Sequence, residues 1–155
     1  MIGMVKYFFN EASEFEIVKH LLLCEDNFIP HLSERVNIID YAQKIVSKAV
    51  RFEAWSDGKL IGLVAVYCND NENSIAYITS VSVLKEWTGK GIAGLLIKQC
   101  IDYVETSGMK QISLEVSIEN VSAIKLYKKN GFLIEKAKTQ FVNMNLYLKK
   151  MNYEK

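Results

Sequence analysis

The apolar positions change period several times along the chain, and each change marks a predicted element. Residues 4–9 (MVKYFF) read as a short first strand. From Glu11 to about Glu25, Phe15, Val18, Leu21 and Leu22 recur at helical spacing with charges between them, which predicts an amphipathic helix. Pro30, the only proline, breaks the chain in a loop. A second helix is expected from Ser33 or Asn37 to Ala49, with Ile38, Ile39, Ala42, Ile45 and Val46 on its apolar side. The pattern then turns β-like. Arg51–Ser56 and Lys59–Cys68 are rich in β-branched and aromatic residues and are joined by Asp57-Gly58, a strong hairpin signal. The polar turn Asn69–Asn73 leads into a third strand of this meander, Ser74–Val83.

A helix is predicted from Gly91 to Ser107, with Ala93, Leu96, Ile97, Cys100, Ile101 and Val104 in one stripe and Gly108 as its left-handed cap. Gln111–Ser117 alternates as a strand, with Ile112, Leu114 and Val116 on one face and Ser113 and Glu115 on the other. Asn120 opens a short helix through Lys129, Asn130-Gly131 closes it, and Phe132–Glu135 and Gln140–Leu148 are the last strands. The order β-α-α-β-β-β-α-β-α-β-β predicts an α+β fold with a mixed, mainly antiparallel sheet and helices on its faces.

Composition narrows the function classes. The 155 residues suit one domain, 1–155, with no repeat or linker. Lys and Arg number 19 against 18 Asp and Glu, so no basic stripe points to nucleic acid. Lys128-Lys129 and Lys149-Lys150 read as solvated faces. No apolar run reaches membrane-spanning length, and the N-terminal residues carry no secretory pattern. Cys24, Cys68 and Cys100 are far apart in apolar surroundings, and only His20 and His31 accompany them, so no metal is expected. Reduced, buried cysteines in a cytoplasmic protein follow.

The chemistry concentrates where the third meander strand meets the third helix. Gly89, Gly91 and Gly94 head an apolar helix, an arrangement that offers backbone N–H groups and a positive helix end to a phosphate. These glycines spell G-x-G-x-x-G, the dinucleotide fingerprint, and Glu115 lies about where the ribose-binding acid would stand. The context opposes a dinucleotide. Leu84–Thr88 separate the strand from the first glycine, the preceding strands form a meander, and the chain is short for two such halves. A P-loop lacks its closing Gly-Lys-Ser/Thr.

The stretch V-L-K-E-W-T-G-K-G-I-A (Val83–Ala93), the helix after it, Leu114–Val116, and N-x-x-A-x-x-L-Y-x-x-x-G-F (Asn120–Phe132) together resemble the Gcn5-related N-acetyltransferase (GNAT) superfamily. The resemblance implies a six- to seven-stranded sheet flanked by about four helices, and an enzyme that moves the acetyl group of acetyl-CoA to a primary amine, with no metal. It places Thr88, Gly89, Lys90, Gly91, Ile92 and Ala93 at the pyrophosphate of acetyl-CoA. Thr88 stands where the family usually has Arg or Gln; its backbone amide and hydroxyl would still serve, with Lys90 compensating. Val81, Ser82 and Val83 match the edge that pairs with the pantetheine arm, beside fourth and fifth strands that splay apart. Asn120 matches the side-chain amide on that arm and is also a preferred helix cap. Tyr127 matches the phenol that protonates the departing thiolate, and it is equally suited to the core beside Ile124. Glu115 is the candidate base, five residues before Asn120, a spacing shared with the branch that acetylates ribosomal-protein N-termini. The alternatives are that Glu115 pairs with a lysine, or that Tyr67, Asn69, Thr79, Ser80 and Ser82 hold a water chain.

The acceptor side is less legible. The resemblance assigns it to Asn27–Asn37 and Tyr67–Asn73, where Phe28, His31, Ser33, Glu34, Arg35, Tyr41 and Tyr67 are candidate lining residues. Arg35 reads either as an anion holder or as a surface partner of Glu34 or Asp40, and His31 as a second base of low standing. A small-molecule or peptide amine is expected, near-neutral charge disfavours polycations, and a homodimer is left open. A non-catalytic CoA-binding module is the alternative of a different class.

Overall fold

The computed structural model describes residues 3–148. Its elements follow the expected order: β1 (Lys6–Phe9), α1 (Glu14–Cys24), α2 (Ile38–Lys48), β2 (Val50–Ser56), β3 (Lys59–Tyr67), β4 (Ile75–Val83), α3 (Ile92–Thr106), β5 (Gln111–Ser117), α4 (Val121–Lys129), β6 (Leu133–Ala137) and β7 (Phe141–Tyr147). Boundaries move by one to two residues at most ends; Lys149-Lys150 lie outside the described residues. Local chemistry explains the starts and stops. Ser13 and Glu16 form a reciprocal capping box on α1, and Asn37 accepts from the Asp40 N–H at the head of α2. Asp57 and Gly58 both take positive φ, 50° and 72°, the conformation a two-residue hairpin of this twist requires.

The seven strands make one sheet in the order β1-β2-β3-β4-β5-β7-β6. All neighbours pair antiparallel except β4 and β5. Each face of the sheet carries a core. In β3, Leu63 and Ala65 face a cluster with Ile17 and Leu21 of α1 and Ala42 and Ile45 of α2. Val64 and Val66 face the opposite cluster, built with Leu96, Ile97 and Cys100 of α3 and Tyr127 of α4. The alternation expected of β5 holds, with Ile112, Leu114 and Val116 buried.

Helix α1 sits differently from the expected stripe. Leu21 is buried, but Phe15 is 74% and Leu22 56% exposed, and the inward face is Ile17, His20, Leu21 and Cys24. The helix is apolar on two sides, so periodicity alone leaves its rotation open. Its entry is fixed by a buried charge. The Glu53 carboxylate on β2 accepts from the N–H groups of Glu11 and Ala12, from Arg51 Nε at 3.3 Å and from Trp55 Nε1 at 3.0 Å. Arg51 in turn donates to the Ala12 carbonyl. Ile39 of α2, expected inside, is also exposed.

One irregularity in the sheet opens a cleft. Strands β4 and β5 pair over only Ile75–Tyr77 against Gln111–Ser113, and then part. Just beyond, β4 carries an extra residue: Ala65 pairs with Ser80 and Val66 with Ile78, leaving Thr79 as a bulge. A bulge bends its strand and sharpens its twist. The second half of β4 therefore keeps β3 on one side and has no ladder on the other.

Candidate active site

The opening between the strands is a cleft of about 530 Å³, walled by Thr79–Val83 of β4, the loop into α3, Leu114–Ser117 of β5 and one side of α4, with residues 27–36 at its far rim. It brings together Val81, Ser82, Val83, Thr88, Gly89, Gly91, Ile92, Ala93, Asn120, Glu115 and Tyr127; Lys90 stands outside its lining.

The loop is built from the end of β4 outward. Leu84 is buried, and a single 3₁₀ turn, Lys85–Trp87, follows. The chain then turns through Gly89 and Gly91 at φ 77° and 82°, where an L side chain would be strained. A Cβ at either position would meet nothing within 4 Å, so the loop's outer surface is bare backbone. Gly91 opens α3 without a side-chain cap, which leaves the first N–H groups of the helix facing outward with its positive dipole end. The seat under that first turn is Gly62 of β3, which the sequence reading missed. A Cβ there would stand 3.0 Å from Ile92 Cγ2 and 3.3 Å from Leu96 Cδ1. A lone glycine inside a strand pattern signals this kind of close approach.

Thr88 departs from expectation. Its hydroxyl donates to the Lys85 carbonyl at 2.7 Å and its N–H donates to the same oxygen at 3.2 Å. Both of its donors therefore close the turn, so neither is offered to the cleft.

On β4, Val81 and Val83 pack into the α3–α4 core while the backbone of Val81–Val83 borders the cleft. Ser82 points the other way, toward His20 of α1. His20 Nδ1–H donates to the Leu60 carbonyl at 2.9 Å, and Nε2 accepts from the Ser82 hydroxyl at 2.9 Å. Burial lowers the His20 pKa from 6.5 to about 4, so the ring is neutral and can accept. Around the bulge, the Tyr41 hydroxyl donates to the Thr79 carbonyl at 2.6 Å, with Thr79 Oγ1 at 2.8 Å. The Ser80 and Tyr67 hydroxyls are buried there without a hydrogen-bond partner among the described residues.

Across the cleft, Tyr127 is 7% exposed and packs edge-to-face on Phe132, with ring centroids 6.0 Å apart. Burial pushes its phenol above the ordinary value near 10. The phenol thus belongs both to the core and to the cleft lining. Asn120 caps α4 through Oδ1, which accepts from the Ala123 N–H at 3.3 Å. Glu115 projects from β5 between two cations, Arg35 Nη2 at 3.8 Å and Lys138 Nζ at 4.0 Å. Arg35 therefore pairs with Glu115 and lies over the Phe141 ring at 5.0 Å, rather than pairing with Glu34 or Asp40. Of the other acceptor-side candidates, Phe28 and Tyr41 line the cleft. Tyr67 lines a neighbouring cavity that shares Tyr41, Tyr77 and Thr79 with it. His31 stands apart in a small surface cluster with Asp26 and Glu34, and Ser33 and Glu34 line neither cavity. Among the described residues no three His, Cys, Asp or Glu side chains gather to hold a metal ion, and no helix is long and apolar enough to cross a membrane.

A family model described as the acetyltransferase (GNAT) family matches residues 15–132. The chain is 29% identical over 116 residues to N-alpha-acetyltransferase MAK3 of Arabidopsis thaliana, covering 74% of this chain and 61% of that protein. It spans about half the length of the curated relatives it matches. The fold superposes on the ribosomal-protein-S18-alanine N-acetyltransferase of Escherichia coli with a TM-score of 0.76, at 17% identity over 97% of both chains. It also superposes on the PaiA N-acetyltransferase of Thermoplasma acidophilum, solved in complex with coenzyme A. There the TM-score is 0.71 at 15% identity, over 93% of this chain and 99% of that one.

Proposed function

The chain belongs to the acetyltransferase (GNAT) family, and from that premise we propose that it transfers the acetyl group of acetyl-CoA to a primary amine. The observation that carries this reading is the parting of β4 from β5: a strand edge without a ladder partner beside an uncapped helix N-terminus. A linear, amide-bearing arm that ends in a pyrophosphate fits that pair of features. Val81, Ser82 and Val83 would pair with the arm through their backbone as with an added strand. The N–H groups of Gly89–Ala93 and the dipole of α3 would hold the phosphates, with Lys90 as an exposed counter-charge. Thr88 would support the loop rather than touch the phosphates. Asn120 has its oxygen committed to the cap, so its Nδ2 donors are what remain for the arm.

An acceptor amine is protonated at neutral pH and only its free base attacks, so Glu115 takes that proton directly or through water. As the new C–N bond forms, the nitrogen sheds its second proton through water to Glu115 or bulk solvent, the C–S bond breaks, and Tyr127 donates its phenolic proton to the departing sulfur. Solvent restores Tyr127 and relieves Glu115, and the sum is amine plus thioester giving amide plus thiol. The buried phenol stays protonated through the working range, as a donor must. The reading includes a cytoplasmic location and a small-molecule or peptide amine as acceptor.

Parallel thermal shifts with acetyl-CoA, CoA and NAD, followed by free-thiol release with a panel of amines, test it. Stabilisation by both CoA species with amine-dependent thiol release is expected. Stabilisation without thiol release identifies a CoA-binding module, and stabilisation by NAD alone overturns the reading.

A further inference from the structure

Arg35 and Glu115 line the cleft, and Lys138 stands beside Glu115 outside that lining; the three are close, yet none has spent its hydrogen bonds on another. Arg35 Nη2 lies 3.8 Å from Glu115 Oε1, and Lys138 Nζ lies 4.0 Å from Glu115 Oε2. Both separations exceed hydrogen-bond reach. Among the described residues, the Arg35 guanidinium makes no hydrogen bond, so all its N–H donors remain available; its Cζ lies 5.0 Å from the centroid of the Phe141 ring. A guanidinium with its donors unspent can take a carboxylate through two parallel bonds. The Glu115 oxygens are equally free to accept from an ammonium.

We propose that the acceptor is an amino acid carrying its carboxylate on the carbon next to its amine, with Arg35 taking the carboxylate and Glu115 the amine. This rests on the acetyltransferase reading and names the acceptor class for the same site. A cation and an anion that touch without hydrogen-bonding are the complement of a zwitterion whose own charges are as closely spaced. To admit it, the Arg35–Glu115 gap must widen by a few ångströms. Arg35, with 41% of its side chain exposed, has room to swing. The local balance, two cations to one anion, opposes the competing classes. A polyamine brings further positive charge against Arg35 and Lys138, and a peptide N-terminus has a neutral carbonyl where the carboxylate would stand. Among the described residues, Asp26 and Glu34 make their charge contacts with His31 and not with Arg35 or Lys138.

The test is free-thiol release by the full chain with acetyl-CoA and three sets of acceptors: the standard L-amino acids, their carboxamides, and spermidine with a short alanine peptide. At least one amino acid should exceed its own carboxamide in kcat/KM by about tenfold, the scale of a partly exposed charge-assisted pair. Arg35→Gln should collapse that ratio by raising the acceptor KM, while the KM for acetyl-CoA stays within about twofold; Arg35→Lys should restore part of it. Equal or better turnover of carboxamides, peptide or spermidine overturns the proposal, as does an Arg35→Gln loss shared equally by acid and amide. These failures leave acetyl-CoA binding and thiol release intact. Absence of both with every amine removes the acetyltransferase reading, and the acceptor proposal with it.

Discussion

Tyr127→Phe separates packing from chemistry. The ring fills the α3–α4 core and meets Phe132 edge-to-face, contacts that phenylalanine keeps. Its hydroxyl makes no hydrogen bond among the described residues, and the residue lines the cleft. Deleting a buried hydroxyl that has no protein partner strands no donor or acceptor, so stability should change by less than about 1 kcal/mol. The acetyl-CoA thermal shift should likewise persist. Turnover should fall by roughly 10²- to 10⁴-fold, the range of a positioned general acid. The pH dependence sharpens this. Burial raises the phenol above its ordinary value, so Tyr127 remains protonated and the loss should be the same at every pH below about 10. Stopped free-thiol assays across pH, with urea melts of the same preparations, measure all three quantities. Turnover within twofold of the parent refutes the acid role, and a loss that tracks a fall in stability returns Tyr127 to the core alone.

Thr88→Arg gives up a turn-closing hydroxyl bond and adds a charge at the loop, and should tighten acetyl-CoA binding about three- to fivefold by calorimetry; unchanged affinity would mean the pyrophosphate lies elsewhere. His20 carries a pH signature. Its folded pKa, near 4 against 6.5 unfolded, means the unfolded chain binds a proton the native state refuses, so stability is full above about pH 6.5 and is lost as pH falls toward 4. The loss should reach about 3 kcal/mol in urea midpoints, and His20→Gln should flatten that limb; parallel curves for the two proteins would contradict it. Glu53→Ala leaves Arg51 buried without its carboxylate and should cost about 3–5 kcal/mol in urea, a loss below 1 kcal/mol being the contrary result.

The order of elements was legible because the apolar period changes cleanly at Arg51, Ile92 and Gln111, and because Asp57-Gly58, Asn120 and Gly108 are local signals that need no tertiary context. The family was legible from the loop's glycines together with the block at Asn120–Phe132. What escaped was decided by packing. Helix α1 offers two apolar stripes, and only the Glu53 anchor beneath its first turn selects Ile17 and Leu21 over Phe15 and Leu22. Arg51, Glu53 and Trp55 alternate along β2 as a solvent face would, and become a buried network because residues 10–12 cross over them. Gly62 lies inside a β run, and a glycine there is itself a signal of close approach. Thr88 showed its type but not that Lys85 had already claimed both of its donors.

The free half of β4 is tied to its neighbours by contacts from α1, α2 and α3. On one face, His20 fixes the Ser82 side chain, so the backbone of Val81–Val83 is kept flat against β3 and its free edge is turned to the cleft. At the bulge, the Tyr41 hydroxyl of α2 donates to the Thr79 carbonyl and ties this turn of β4 to α2. On the other face, Gly62 lets α3 settle onto β3, bringing the glycine loop to the mouth of the same cleft. The cofactor side of the proposed reaction is thus fixed by the rigid elements β3, β4 and α3. The acceptor side depends on Arg35 in the 27–36 segment and on Lys138 between β6 and β7, both partly exposed. On the proposed reading, a division of this kind would let acceptor preference change by substitution at residues 35 and 138 while backbone sets the thioester's position, so the ratio of acid to amide turnover is expected to move without moving acetyl-CoA affinity.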